Sequence, residues 1–227
     1  TDPALGAATA FAAALTAAGI AVEQGPTRGA APVDANQIAQ VNSATLRDLL
    51  DLAMVESSNT LTEMFGRLVA IARGQEPTFE GATTAVLEGE ASLGVNVSGT
   101  VLTDTSGLSL ANRISPRLLA ELAALSASDP ALRPLLIALP VSGLDGTLLE
   151  RDIEPGMVRA KTGTLLRVVS LAGVTTTADG RLVAFSVMAD GVPAGGAYLA
   201  RLHVDEWVNS HVTYSAAGYR TSGRSAR

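Results

Sequence analysis

The hydrophobic repeat changes period along this chain, and that change limits the fold more than any other feature. Leu46, Leu49, Leu50, Ala53 and Met54 recur at helical spacing. ESSN interrupts the repeat, and Leu61, Met64, Phe65, Leu68 and Val69 resume it, so two helices meet at Ser57-Ser58-Asn59. From Val158 the pattern is extended: VRAKTG, RVVSLAGVTTT and RLVAFSVMADG read as strands, with Asp179-Gly180 as a hairpin turn. Helices first and an antiparallel unit last predict an α+β chain, an antiparallel sheet with flanking helices.

The remaining segments fit around this plan. A helix is expected from about Pro3 to Ala18, with Phe11 and Leu15 on one face and Gly19 closing it. IAV (20–22) and IAQVNS (38–43) read as short strands on either side of a Gly/Pro/Ala-rich loop at 24–36. Further helices are expected from Gly81 to Leu93, from Pro116 to about Ser126, from Asp129-Pro130, and from about Gly196 to Val212. Residues 213–227 read as a mobile tail.

Composition excludes several classes of function. The net charge is −6 with no long basic run, which argues against nucleic acid as a partner. There is no cysteine, so thiolate chemistry, disulfides and zinc-thiolate sites are absent. The two histidines, His203 and His211, are not at the i, i+4 spacing that brings two metal ligands together, and no Glu-x-x-His accompanies them. No metal or organic cofactor is called for. The N-terminal apolar stretch lacks the charged start of a signal peptide, so an export signal would lie outside this chain.

Three polar clusters remain. The first surrounds the sole lysine, Lys161, in Lys161-Thr162-Gly163-Thr164: a cation beside two hydroxyls, with a glycine that lets a ligand approach the backbone. Taken alone it also fits an exposed edge lysine before a turn. The second is Ser57-Ser58-Asn59, where plain N-capping is the alternative to a proton-relaying hydroxyl beside an orienting amide. The third is Asp104-Thr105-Ser106-Gly107-Leu108-Ser109, which fits a turn with local side-chain bonds, although Asn112 and Arg113 add polar groups a turn does not need.

Taken jointly, Ser-x-Asn followed about a hundred residues later by Lys-Thr-Gly makes two of the three elements of the active-serine penicillin-interactive set. The chain resembles the D-alanyl-D-alanine carboxypeptidase/endopeptidase family, the low-molecular-mass class C penicillin-binding proteins. FAAALTAAGI, VESSNTLTEMFGRL, DTSGLSLANRIS, LDGTL (144–148), AKTGTL and the closing hairpin and helix carry the resemblance. Thr105 stands where the family's third stretch usually has its first glycine, and Ser58 where Ser-x-Asn often has Asp.

The resemblance implies a β-lactamase/transpeptidase-like fold, of which residues 1–212 would be the C-terminal part, with a helical portion at about 40–140 and the sheet and closing helix at about 157–212. It implies a serine-type carboxypeptidase acting on peptidoglycan stem peptides in the periplasm or cell-wall space and acylated by β-lactam antibiotics. Ser57, Asn59 and Lys161 would be catalytic, with Thr162, Gly163, Thr164 and Ser106 binding substrate. One departure is large: the family's nucleophile is the serine of Ser-x-x-Lys, and Val158 precedes the only lysine by three residues. The expectation is an N-terminal portion of the same protein that carries Ser-x-x-Lys, and a chain that is inactive without it. A β-lactamase or esterase of the same fold, or a non-catalytic peptidoglycan-binding module, are the alternatives.

Overall fold

Residues 158–190 form a three-stranded antiparallel sheet in the order β1-β2-β3: β1 (Val158–Leu165), β2 (Val168–Thr176) and β3 (Leu182–Asp190). The expected strands are present, and the register pairs Lys161 with Ala172 and Ala172 with Ser186. The second turn closes where Asp179-Gly180 predicts it, with Gly180 at φ 79° and the Thr177 N–H donating to the Arg181 carbonyl at 2.8 Å. Side chains alternate across the sheet. Val158, Ala160, Val169, Leu171 and Phe185 form a core with Val204, Val208 and Val212 of the closing helix α7 (Ala197–Val212).

The structure, a computed structural model, describes residues 2–30 and 32–212. The tail expected at 213–227 lies outside the described residues. Two compact units divide the chain, Thr1–Ser43 and Ala44–Arg227. In the first, α1 (Pro3–Ala17) starts as expected: the Asp2 carboxylate accepts the Leu5 N–H at 3.1 Å, and proline occupies the first turn. No residue of α1 is buried. The short strands expected at 20–22 and 38–43 are absent, and both segments are irregular. A strand needs a paired neighbour to satisfy its backbone. Neither segment pairs with a strand among the described residues, and Ile38 and Val41 are 99% and 95% exposed.

In the second unit, Thr45 and Asp48 exchange the two hydrogen bonds of a capping box at the start of α2 (Leu46–Val55). Four more helices follow: α3 (Asn59–Ala72), α4 (Phe79–Ser92), α5 (Pro116–Ser128) and α6 (Arg133–Ala138). The last begins three residues later than Asp129-Pro130 suggests, because the Asp129 carboxylate accepts the Ala131 N–H in a turn of its own. α5 packs on β2 and β3, and α7 packs on β2. The buried side chains of β1 point toward the α7 core, so Arg159, Lys161 and Gly163 point to the opposite side of the sheet.

Candidate active site

The junction between α2 and α3 is strained at one residue. Ser57 has φ +53°, the one non-glycine residue with positive φ among the described residues. It follows the C-cap Glu56 in the left-handed position where glycine usually ends a helix, and the next N–H, that of Ser58, donates to the Ala53 carbonyl at 3.0 Å. A side chain costs about 1–2 kcal/mol in that conformation. Ser58 then caps α3, its hydroxyl accepting the Leu61 N–H at 3.4 Å. The capping expected of this cluster is therefore performed by Ser58, which leaves the Ser57 hydroxyl for another partner.

That partner is the sole lysine. Lys161 Nζ donates to Ser57 Oγ at 2.8 Å, joining residues 104 apart in sequence, and to the Thr162 carbonyl at 3.0 Å. The side chain is half-buried, and burial pushes its ammonium below the ordinary lysine value because the charged form loses hydration. An ammonium so placed gives up a proton more readily than a surface lysine does.

The outer edge of β1 is covered only along its first half. Ala160 N–H donates to the Pro140 carbonyl at 3.0 Å, and Ser142 N–H donates to the Val158 carbonyl at 2.9 Å. By strand alternation the backbone groups of Thr162 and Thr164 also face this edge, where no strand covers them among the described residues. Thr164 is exposed. The Thr162 hydroxyl lies 2.8 Å from the hydroxyl of Thr147, in a 3₁₀ turn at Gly146–Leu148. At Gly163 the Ser170 hydroxyl of β2 occupies the space a Cβ would take.

The third cluster is tied to α3. Asp104 is buried and its carboxylate accepts the Gly107 N–H (2.8 Å), the Ser109 N–H (2.6 Å) and the Asn112 amide (2.8 Å). Asn112 also accepts the Thr103 N–H at 2.7 Å, and Arg113 donates to the Leu110 and Asn112 carbonyls, so both close the loop. Glu63 of α3 accepts the N–H groups of Thr105 (3.1 Å) and Ser106 (2.9 Å) and the Thr105 hydroxyl (3.1 Å). The Thr105 side chain fits because residue 66 of α3 is glycine; a Cβ there would lie 2.5 Å from Thr105 Oγ1.

Of the residues picked from the sequence, Ser57, Lys161 and Thr162 are joined by hydrogen bonds. Ser106 hangs from α3 through Glu63, one helical turn beyond Asn59. Asn59 is exposed, and its amide makes no hydrogen bond among the described residues. Thr147 and Glu63 are not among the residues picked. LDGTL shows Thr147 only as part of a turn, and no spacing links Glu63 to Thr105 across 42 residues.

Comparison with known proteins identifies the family and the fold. Residues 1–210 match the family described as D-Ala-D-Ala carboxypeptidase 3 (S13). Carboxypeptidase DacB of Mycolicibacterium smegmatis is 39% identical over 204 residues, 86% of this chain and 44% of that protein. The D-alanyl-D-alanine carboxypeptidase of Actinomadura sp. strain R39 is 32% identical over 201 residues, 84% of this chain and 37% of that protein. The chain thus spans less than half the length of these curated relatives. Penicillin binding protein 4 (dacB) from Haemophilus influenzae, solved in complex with a novel β-lactam, superposes with a TM-score of 0.68 at 27% identity, over 74% of this chain and 41% of that one. The mixed fold of helices and antiparallel sheet is that of penicillin-binding, transpeptidase-like proteins. The chain belongs to the D-Ala-D-Ala carboxypeptidase 3 (S13) family.

Proposed function

We propose that residues 1–212 are the C-terminal part of a transpeptidase-like domain. It forms the substrate-side wall of a serine D-Ala-D-Ala carboxypeptidase/endopeptidase whose nucleophile belongs to a Ser-x-x-Lys segment outside this chain. The observation that carries this is the 2.8 Å contact between Lys161 and Ser57, a half-buried ammonium held against a hydroxyl kept in a strained backbone. Strain of about 1–2 kcal/mol persists where the surrounding structure over-determines it, and such residues cluster at functional sites.

The substrate is a peptidoglycan stem peptide ending in D-Ala-D-Ala or cross-linked through D-Ala, and β-lactam antibiotics acylate the same serine. The lysine of Ser-x-x-Lys takes the serine proton as the serine Oγ attacks the carbonyl of the penultimate D-Ala, and the oxyanion accepts from the edge-facing N–H of Thr164. The amide C–N bond then breaks. The departing amine takes a proton through the Ser57 hydroxyl, replenished by Lys161, which burial makes a readier proton donor than a surface lysine. Water hydrolyses the acyl-enzyme. Lys161 and Thr162 also hold the terminal carboxylate, Ser106 lines the substrate from the side of α3, and Asn59 orients the substrate amide and the lysine of Ser-x-x-Lys.

The site of action is extracytoplasmic, on a cell-wall substrate. No helix among the described residues is long and apolar enough to cross a membrane. The test is D-alanine release from a peptide ending in D-Ala-D-Ala by the complete protein. We expect release that is inhibited by penicillin. Rapid penicillin turnover without D-alanine release would instead indicate a β-lactamase. Sedimentation with peptidoglycan without any acylation would indicate a binding module.

A further inference from the structure

Of the stretches that carry the resemblance, LDGTL has no role in the proposed chemistry, yet its turn touches both walls of the site. The Asp145 carboxylate accepts the Val141 N–H at 2.7 Å, the Gly143 N–H donates to the Leu148 carbonyl at 3.1 Å, and Leu148 is fully buried. Gly146 has φ +52°, and a Cβ there would lie 3.0 Å from both the Pro140 side chain and the Val55 carbonyl. Val55 ends α2, two residues before Ser57, and Pro140 covers the edge of β1. The turn is therefore fixed against the Ser57 junction on one side and the Lys-Thr-Gly strand on the other. Its Thr147 hydroxyl is exposed and 2.8 Å from that of Thr162.

We propose that Thr147 is a positioning residue that orients the Thr162 hydroxyl toward a ligand carboxylate and so favours anionic ligands. A threonine hydroxyl has one proton and two acceptor lone pairs. When Thr147 donates to Thr162, the Thr162 proton is free and directed away from Thr147. When Thr162 donates to Thr147, the direction drawn in the structure, that proton is used up and Thr162 offers an anion only lone pairs. An arriving carboxylate selects the first arrangement, and Thr147 both fixes the Thr162 rotamer and strengthens its O–H as a donor. The inference rests on the reading that Lys-Thr-Gly holds a carboxylate.

The test compares Thr147→Val, which keeps the β-branched shape but has no proton to donate, with Thr147→Ser, which restores the hydroxyl, in the complete protein carrying Ser-x-x-Lys. The readout is the second-order rate of acylation by benzylpenicillin and by its methyl ester. Loss of one oriented hydrogen bond to a charged group predicts an acid rate about tenfold lower in Thr147→Val. The ester rate should stay within about twofold of the parent, and Thr147→Ser should recover the acid rate. An unchanged acid rate in Thr147→Val, or equal losses on acid and ester, would overturn the role of Thr147 while leaving the proposed function intact. A parent protein acylated by neither compound would overturn the proposed function and this inference with it.

Discussion

Ser57 occupies a backbone conformation that glycine would adopt with less strain, and its hydroxyl explains why serine is there. The two contributions separate in a pair of variants. Ser57→Ala loses the hydroxyl and keeps the strain, whereas Ser57→Gly loses both. We expect Ser57→Gly to be more stable than Ser57→Ala by about 1 kcal/mol, roughly 2–4 °C in melting temperature for a chain of this size. In the complete protein both should lose D-alanine release to a similar degree. Equal melting temperatures would show that the positive φ carries no strain, and full activity in either variant would remove Ser57 from the proton path. Lys161 is likewise set apart by its surroundings: burial pushes its ammonium below the ordinary lysine value.

Between elements, the contact of α3 with the loop at 104–109 turns on Gly66 and Thr105. A glycine inside a helix costs about 1 kcal/mol relative to alanine, so Gly66→Ala should stabilise an isolated α3. Here the added methyl would run into the Thr105 side chain, and overpacking of this kind costs about 1–3 kcal/mol. Gly66→Ala is therefore expected to destabilise the protein alone and to stabilise it when combined with Thr105→Gly, which restores the residue usual in the resembling family. Denaturant unfolding of the four proteins in this cycle measures the coupling; additivity within about 0.5 kcal/mol would contradict the contact. On the other side of the sheet, Arg151 and Asp205 form a buried bidentate ion pair, and Asn209 bonds the Glu154 N–H and the Asp152 carbonyl. These contacts fasten the segment after the LDGTL turn to α7.

For the whole molecule, what was legible in the sequence is what local chemistry encodes. Asp179-Gly180 specifies its turn, Thr45 and Asp48 their capping box, and the switch of period separates helices from sheet. IAV and IAQVNS look like strands but are not, because pairing depends on a neighbour that a short apolar run cannot supply. The site was legible as three clusters, and the resemblance linked them. Its cross-connections were not, because Glu63 acts on residues 42 and 43 positions away and Thr147 on one 15 positions away, separations that no period marks. β3 pairs only with β2 among the described residues, leaving an edge that strands from outside this chain could extend. In the function proposed above, the chain holds the substrate-side wall and the nucleophile comes from a Ser-x-x-Lys segment outside it. Incubation with a fluorescent penicillin followed by denaturing electrophoresis tests it most directly. No covalent label is expected on the 227-residue chain alone and a strong label once that segment is joined to it; a denaturation-resistant label on the chain alone would overturn the proposed function.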